Sequence, residues 1–157
     1  MTQTLALSDY QALAELRYKI RRFLHFSEQA ARKTDLEPQQ HQLMLALKGL
    51  PSGLSPTIKT LAERMQTQHH STVELVNRLS RAGLVRRNRT GQDRRQVLLT
   101  LTLKGEKILS ELSKGHQAEL RTQGPALVVA LERVMRPTKG VSASASKSPS
   151  EPVEQAG

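Results

Sequence analysis

The chain is 157 residues long, has no cysteine or tryptophan, and carries 24 Lys and Arg against 14 Asp and Glu, a formal charge of +10. Without a thiol it has no disulfide framework, no cysteine zinc site and no thiol catalysis. With Tyr10, Tyr18, Phe23 and Phe26 as its only aromatic residues, it lacks the base-stacking platform of sheet-based RNA binders. The positive excess favours a polyanionic partner, nucleic acid before an anionic membrane surface. No apolar run approaches the roughly 18 residues that span a bilayer. Met1 to Asp9 has no basic n-region, so no secretory signal and a cytoplasmic location are expected.

In chain order, Ser8 and Asp9 read as a helix start. Leu13, Leu16, Ile20, Phe23 and Leu24 then recur at spacings of three and four, predicting a helix over Asp9 to Lys33. Its apolar stripe is too long for a small domain to cover, which calls for a partner chain. Pro38 suits the first turn of a second helix, with Leu43, Met44, Ala46 and Leu47 inward and Gly49 at its end. After a Pro51–Pro56 loop, Thr57 to Gln66 reads as a short helix, Gln66 to His70 as a polar connection, and Ser71 to Ala82 as a second helix closed by Gly83. Two short helices joined by a brief turn make a helix-turn-helix, whose second helix can enter the DNA major groove.

Leu84–Asn88 and Gln96–Leu101 read as strands around the polar turn Arg89–Arg95, a hairpin with a basic tip. Thr102 can cap the next helix, which carries Ile108, Leu109, Leu112 and Leu120. Gly124-Pro125 is expected to break it, leaving a last apolar helix from Pro125 to Met135. Residues 137–157 have almost no large apolar groups and are expected to form a disordered tail. The expected fold is mainly α with a small β-hairpin wing: a winged helix-turn-helix in a domain over 1–136. Residues 57–101 would form the DNA-binding lobe, and 8–50 with 102–136 the N- and C-terminal dimerisation helices.

Charge concentrates in the same lobe. Between Leu54 and Lys104 ten basic residues face Glu63, Glu74 and Asp93 alone, which favours a phosphate-binding surface over an ordinary solvated face. No paired carboxylates near a histidine and no phosphate-binding glycine loop are present, so neither an enzyme nor a cofactor is expected. Histidines 25, 41, 69, 70 and 116 form no HxxxH pair, and no metal site is expected.

At these residues the sequence resembles the MarR family of bacterial transcription regulators. The matching pieces are Leu61-Ala62-Glu63-Arg64-Met65, Ser71-Thr72-Val73, Leu75-Val76-Asn77-Arg78-Leu79 and Ala82-Gly83-Leu84-Val85-Arg86-Arg87. Asp93-Arg94-Arg95 and Leu101-Thr102-Leu103-Lys104-Gly105 continue the series. The resemblance covers roughly residues 8 to 136. One departure is the turn Gln66-Thr67-Gln68-His69-His70, which holds no glycine and is one residue longer than usual. The resemblance implies a dimer whose first and last helices interlock, and two winged lobes that read a pseudopalindromic double-stranded DNA operator. It also implies that Asp93 orients the wing arginines and that Arg95 enters the minor groove.

The expected DNA-binding residues are His69, His70, Ser71, Thr72, Glu74, Arg78, Arg89, Asp93, Arg94 and Arg95. Ser71 and Thr72 can contact DNA or simply cap their helix. Arg78 can reach guanine or phosphate. Glu74 can accept from cytosine or merely offset charge. Arg94 is expected on phosphate. A small amphipathic or phenolic effector is expected between the dimer helices and the reading lobe. Its wall would be Phe23, Phe26, His41 and Met44, residues that also read as core or interface. The expected function is a sequence-specific DNA-binding transcription regulator, a ligand-responsive homodimeric repressor. The alternative is an architectural, sequence-tolerant DNA-binding protein without an effector, and salt dependence on specific and random DNA separates the two.

Overall fold

The computed structural model describes residues 4–89 and 96–136. The wing tip with Asp93, Arg94 and Arg95, and the segment 137–157, lie outside the described residues. Helix α1 spans Leu7–Arg32, slightly ahead of the expected start. Ala6, not Ser8, is its N-cap residue, and Asp9 on the first turn accepts the Ala6 N–H through Oδ2 at 2.8 Å. Helix α2 is Pro38–Lys48, opened by its proline as expected, with the Glu37 N–H donated to Gln40 Oε1 at 2.9 Å and Gly49 at the C-terminus. Helices α3 (Ile58–Met65) and α4 (His69–Arg81) form the helix-turn-helix. Strands β1 (Val85–Arg89) and β2 (Val97–Leu101) pair antiparallel, with Val85 opposite Leu101 and Arg89 opposite Val97.

The last helix corrects the sequence reading. Helix α5 runs without a break from Leu103 to Met135 with Pro125 inside it. The proline removes one amide donor. Against that loss stands a stripe that crosses it without slipping: Leu109, Leu112, His116 and Ala130 are buried, and Leu127 and Val134 are half-buried. Helix α5 packs mainly along α1, running antiparallel to it: Phe23 and Phe26 approach His116, while Asp9 and Leu13 meet Val134 and Arg136 in one cleft. A break at Gly124 would take the last three turns off α1, and burying that apolar stripe outweighs one hydrogen bond.

The core lies where α2, α4, the wing and the first half of α5 converge, around Leu43, Met44, Leu75, Val76, Leu79, Leu84, Leu99 and Leu109. It fixes α4 and the wing relative to the long helices. Thr102 caps α5 as expected, accepting from the Gly105 N–H at 3.0 Å. Gly83 adopts φ 71, the left-handed conformation that ends α4 and turns the chain into β1.

Candidate nucleic-acid interface

The start of α3 is held by Thr57, whose Oγ1 accepts the Thr60 N–H at 3.2 Å. Leu61 and Ala62 are its buried residues. At its end Gln66 takes φ 53 and ψ 43, the left-handed conformation usually left to glycine. The missing turn glycine is therefore replaced in conformation, and α4 begins at His69, two residues before expectation. Its N-cap is Gln68, so neither Ser71 nor Thr72 has the capping role. A non-glycine residue in this region is strained. Gln66→Gly is expected to raise stability by about 0.5–1 kcal/mol. A lower melting temperature for that variant would refute the strain.

Thr72 is fully buried. Its hydroxyl is 2.8 Å from that of Thr67 and donates to the Gln68 carbonyl at 3.2 Å, clamping the turn onto α4. Among the residues expected at DNA, Thr72 thus faces the core with Leu75, Val76 and Leu79. Ser71 is half-buried, and His69 and His70 are exposed at the helix start. His70, Glu74, Arg78 and Arg81 are exposed and recur at spacings of four, four and three, so they form one outward stripe.

The wing base joins that stripe. Arg86, Arg87 and Arg89 are exposed on β1. Arg87 Nη2 donates to Asn77 Oδ1 of α4 at 2.7 Å, and Arg81 Nε donates to the Asn77 carbonyl at 3.3 Å. Arg78 Nη1 donates to Glu37 Oε2 at the start of α2, 2.9 Å away. The result is a basic ridge in which helix and strand are cross-braced, while Glu74 and Glu37 punctuate it with negative charge. Sequence reasoning missed Glu37, Asn77 and Arg87. The pairing of Arg78 with Glu37 spans 41 residues and left no local signal.

The expected effector wall resolves differently. Phe23, Phe26 and His41 do come together, around a residue not chosen from the sequence: His116. Its ring stacks on His41 with centroids 4.9 Å apart, and Phe23 and Phe26 meet it edge-on at 6.1 and 5.9 Å. His41 and His116 are both buried, and among the described residues neither Nε2 has a hydrogen-bond partner. Burial, helped by the neighbouring His116, lowers the His41 pKa to about 4. Burial also lowers that of His116, against an opposing contribution from the Ser27 backbone. Met44 is fully buried in the core. His116 was legible in principle, since it continues the apolar spacing of Leu109 and Leu112. None of the four expected residues lines the cavity of about 230 Å³ between α1, α2 and the end of α3, which is lined by Leu24, Ser27, Glu28, Pro38, Gln39, Gln42, Met65 and Thr67.

Among the described residues no three His, Asp or Glu side chains group as a metal site, and no helix is long and apolar enough to cross a membrane. Residues 34–96 match the sequence model of the MarR family. The fold is similar to that of AbsC, a MarR family transcriptional regulator from Streptomyces coelicolor, at 20% identity and a TM-score of 0.68, over 87% of this chain and 95% of the other. It is also similar to a variant of Staphylococcus aureus MepR bound to an oligodeoxyribonucleotide, at 18% identity and a TM-score of 0.59, over 80% and 95% of the two chains. Wild-type apo MarR from E. coli gives 18% identity and a TM-score of 0.58, over 85% and 100%. At these identities the likeness is one of fold. No curated protein matches the chain.

Proposed function

We propose that the chain, whose residues 34–96 match the MarR family model, is a transcription regulator of that family and acts as a homodimeric, sequence-specific DNA-binding repressor released by a small ligand. The observation that carries the reading is the outward stripe His70, Glu74, Arg78 and Arg81 on α4, flanked by Arg87 of β1, which bonds Asn77 of α4, and by Arg89 on the same face of that strand. A mixed-charge helix face offers donors and acceptors to base edges, and the arginine strand beside it offers cations to phosphate. A protein of similar fold, the MepR variant, is bound to an oligodeoxyribonucleotide, which favours DNA as the kind of partner. Beyond it, Arg95 would enter the minor groove and Arg94 would contact phosphate, with Asp93 orienting the wing arginines.

The dimer rests on α1 and α5. Paired with each other inside one chain, they still leave Leu7, Tyr10, Tyr18, Val128, Val129 and Met135 more than half exposed. A second copy covers such a face at low cost and sets the two α4 helices at a fixed spacing near one DNA turn, about 34 Å. Sedimentation at micromolar concentration is expected to give a dimer, and a stable folded monomer would rule the assembly out. The residues 8–50 and 102–136 then serve dimerisation and 57–101 DNA reading.

Ligand response fits the cleft between α1, α2 and the end of α3, because that is where the long helices meet the reading lobe. A molecule wedged there changes the angle between them and so the spacing of the recognition helices. Selection from a random duplex pool tests the whole reading. A pseudopalindromic site should be enriched and bound at least a thousandfold more tightly than random duplex. Equal affinity for both at every salt concentration would favour the architectural alternative. On the selected site, Arg95→Ala should cost about 1–3 kcal/mol per half-site with little change in melting temperature.

A further inference from the structure

Arg78 stands on the outward stripe of α4, yet its guanidinium is engaged from another element. Its Nη1 donates to Glu37 Oε2 at 2.9 Å. Glu37 is the N-cap residue of α2, where Pro38 and the bond from its own N–H to Gln40 hold the backbone in place. The carboxylate is therefore presented from a rigid helix start. The Arg78 and Glu37 side chains are 50% and 60% exposed, so a nucleic acid reaches the pair as readily as water does. A pair this exposed adds little to stability. Its effect lies in which acceptor the guanidinium can take.

We propose that Glu37 is a specificity-determining positioning residue, holding Arg78 so that it reads a neutral base edge and contributes little to gripping phosphate. The proposal rests on the DNA-binding reading above. A guanidinium has five N–H donors in a fixed fork. One is used by Glu37, and the others remain for an uncharged acceptor pair such as O6 and N7 of guanine. A phosphate approaching the same group meets the Glu37 carboxylate as well. Arg78 and Glu37 together carry no net charge, so their contact with the backbone releases no counterion. The directional part of the arginine is kept and its sequence-independent part is suppressed.

Glu37→Gln tests this in the full-length protein, with a site selected from a random duplex pool by the wild-type protein and a random 30-base-pair duplex as the two probes. The variant should bind the random duplex about threefold or more tightly, with its log–log salt slope steeper by about 0.9. The ratio of selected-site to random affinity should fall by about the same factor. Neither change should appear when Glu37→Gln is introduced into an Arg78→Gln background, because the effect acts through that guanidinium. An unchanged ratio and slope would overturn the proposal. So would the same gain in both backgrounds, which would make Glu37 a general negative charge. If the wild-type protein enriches no sequence at all, the DNA-binding reading fails first and takes this inference with it.

Discussion

Gly105→Ala is expected to destabilise the folded protein by about 3 kcal/mol, although helix propensity alone predicts a gain of about 1 kcal/mol. Gly105 lies in the first turn of α5, and a Cβ there would overlap the backbone carbonyl oxygen of Leu84. That carbonyl cannot move aside cheaply. It accepts the Thr102 N–H at 3.0 Å. The same turn is tied down by Thr102 Oγ1, which donates to the Gly83 carbonyl at 2.6 Å, and by Lys104 Nζ, which donates to the Ala82 carbonyl at 3.2 Å. Leu84 and Val85, which follow directly, are both buried in the core. Admitting one methyl group therefore means parting α5 from the turn that joins α4 to β1. Gly115 is the control: it sits in the same helix, and nothing lies within 4 Å of a Cβ built on it. Gly115→Ala should stabilise by up to about 1 kcal/mol. Urea denaturation of the two variants reads both signs. A Gly105→Ala protein as stable as the wild type would show that the close approach is not binding on the fold.

Acid is expected to weaken the protein through the histidine pair. His41 has an ordinary value of 6.5 and is lowered to about 4 in the folded state, chiefly by burial. Between those values the unfolded chain binds the proton more readily than the folded one. The stability associated with neutral His41 is therefore complete above about pH 6.5 and is lost as the pH falls toward 4. From about pH 7.5 to about pH 5 the loss should be about 2 kcal/mol. His116 is shifted in the same direction and adds to the same sense. The geometry gives the reason: stacked rings 4.9 Å apart, enclosed by Phe23 and Phe26, have no room to hydrate a charge. His41→Phe keeps a ring in the stack and removes the proton site. Urea midpoints of the wild type should drop over this range, and those of the variant should drop much less. Parallel pH profiles for the two proteins would place the acid sensitivity elsewhere.

Much of the fold was legible because its signals are local. The spacing from Leu13 to Leu24 announced α1, Pro38 the start of α2, Gly83 the end of α4, and Thr102 the cap of α5. The basic stripe and wing followed from residue types within one segment of the chain. The errors fell where a local rule met a tertiary contact. Gly124-Pro125 reads as a break, but α1 lies alongside and holds the helix together. Thr72 reads as a surface or capping residue, but its hydroxyl is taken by Thr67 and the Gln68 carbonyl inside the turn. Of the residues expected to wall a pocket, Phe23, Phe26 and His41 pack on His116, 75 positions beyond His41, and Met44 lies in the core, the packing alternative that the sequence also offered.

The sequence by itself determined the helix-turn-helix and the hairpin that follows it, and the charge along them is what favours a nucleic-acid partner. Those depend on hydrophobic period, turn residues and charge, each read within a few positions. Only the tertiary structure decided that Glu37 engages Arg78, that His41 and His116 share one enclosure, and that Gly105 must lack a side chain. In each case the deciding partner comes from a different element. Its distance in space is set by how the long helices pack around the core, and no pattern along the chain encodes that distance.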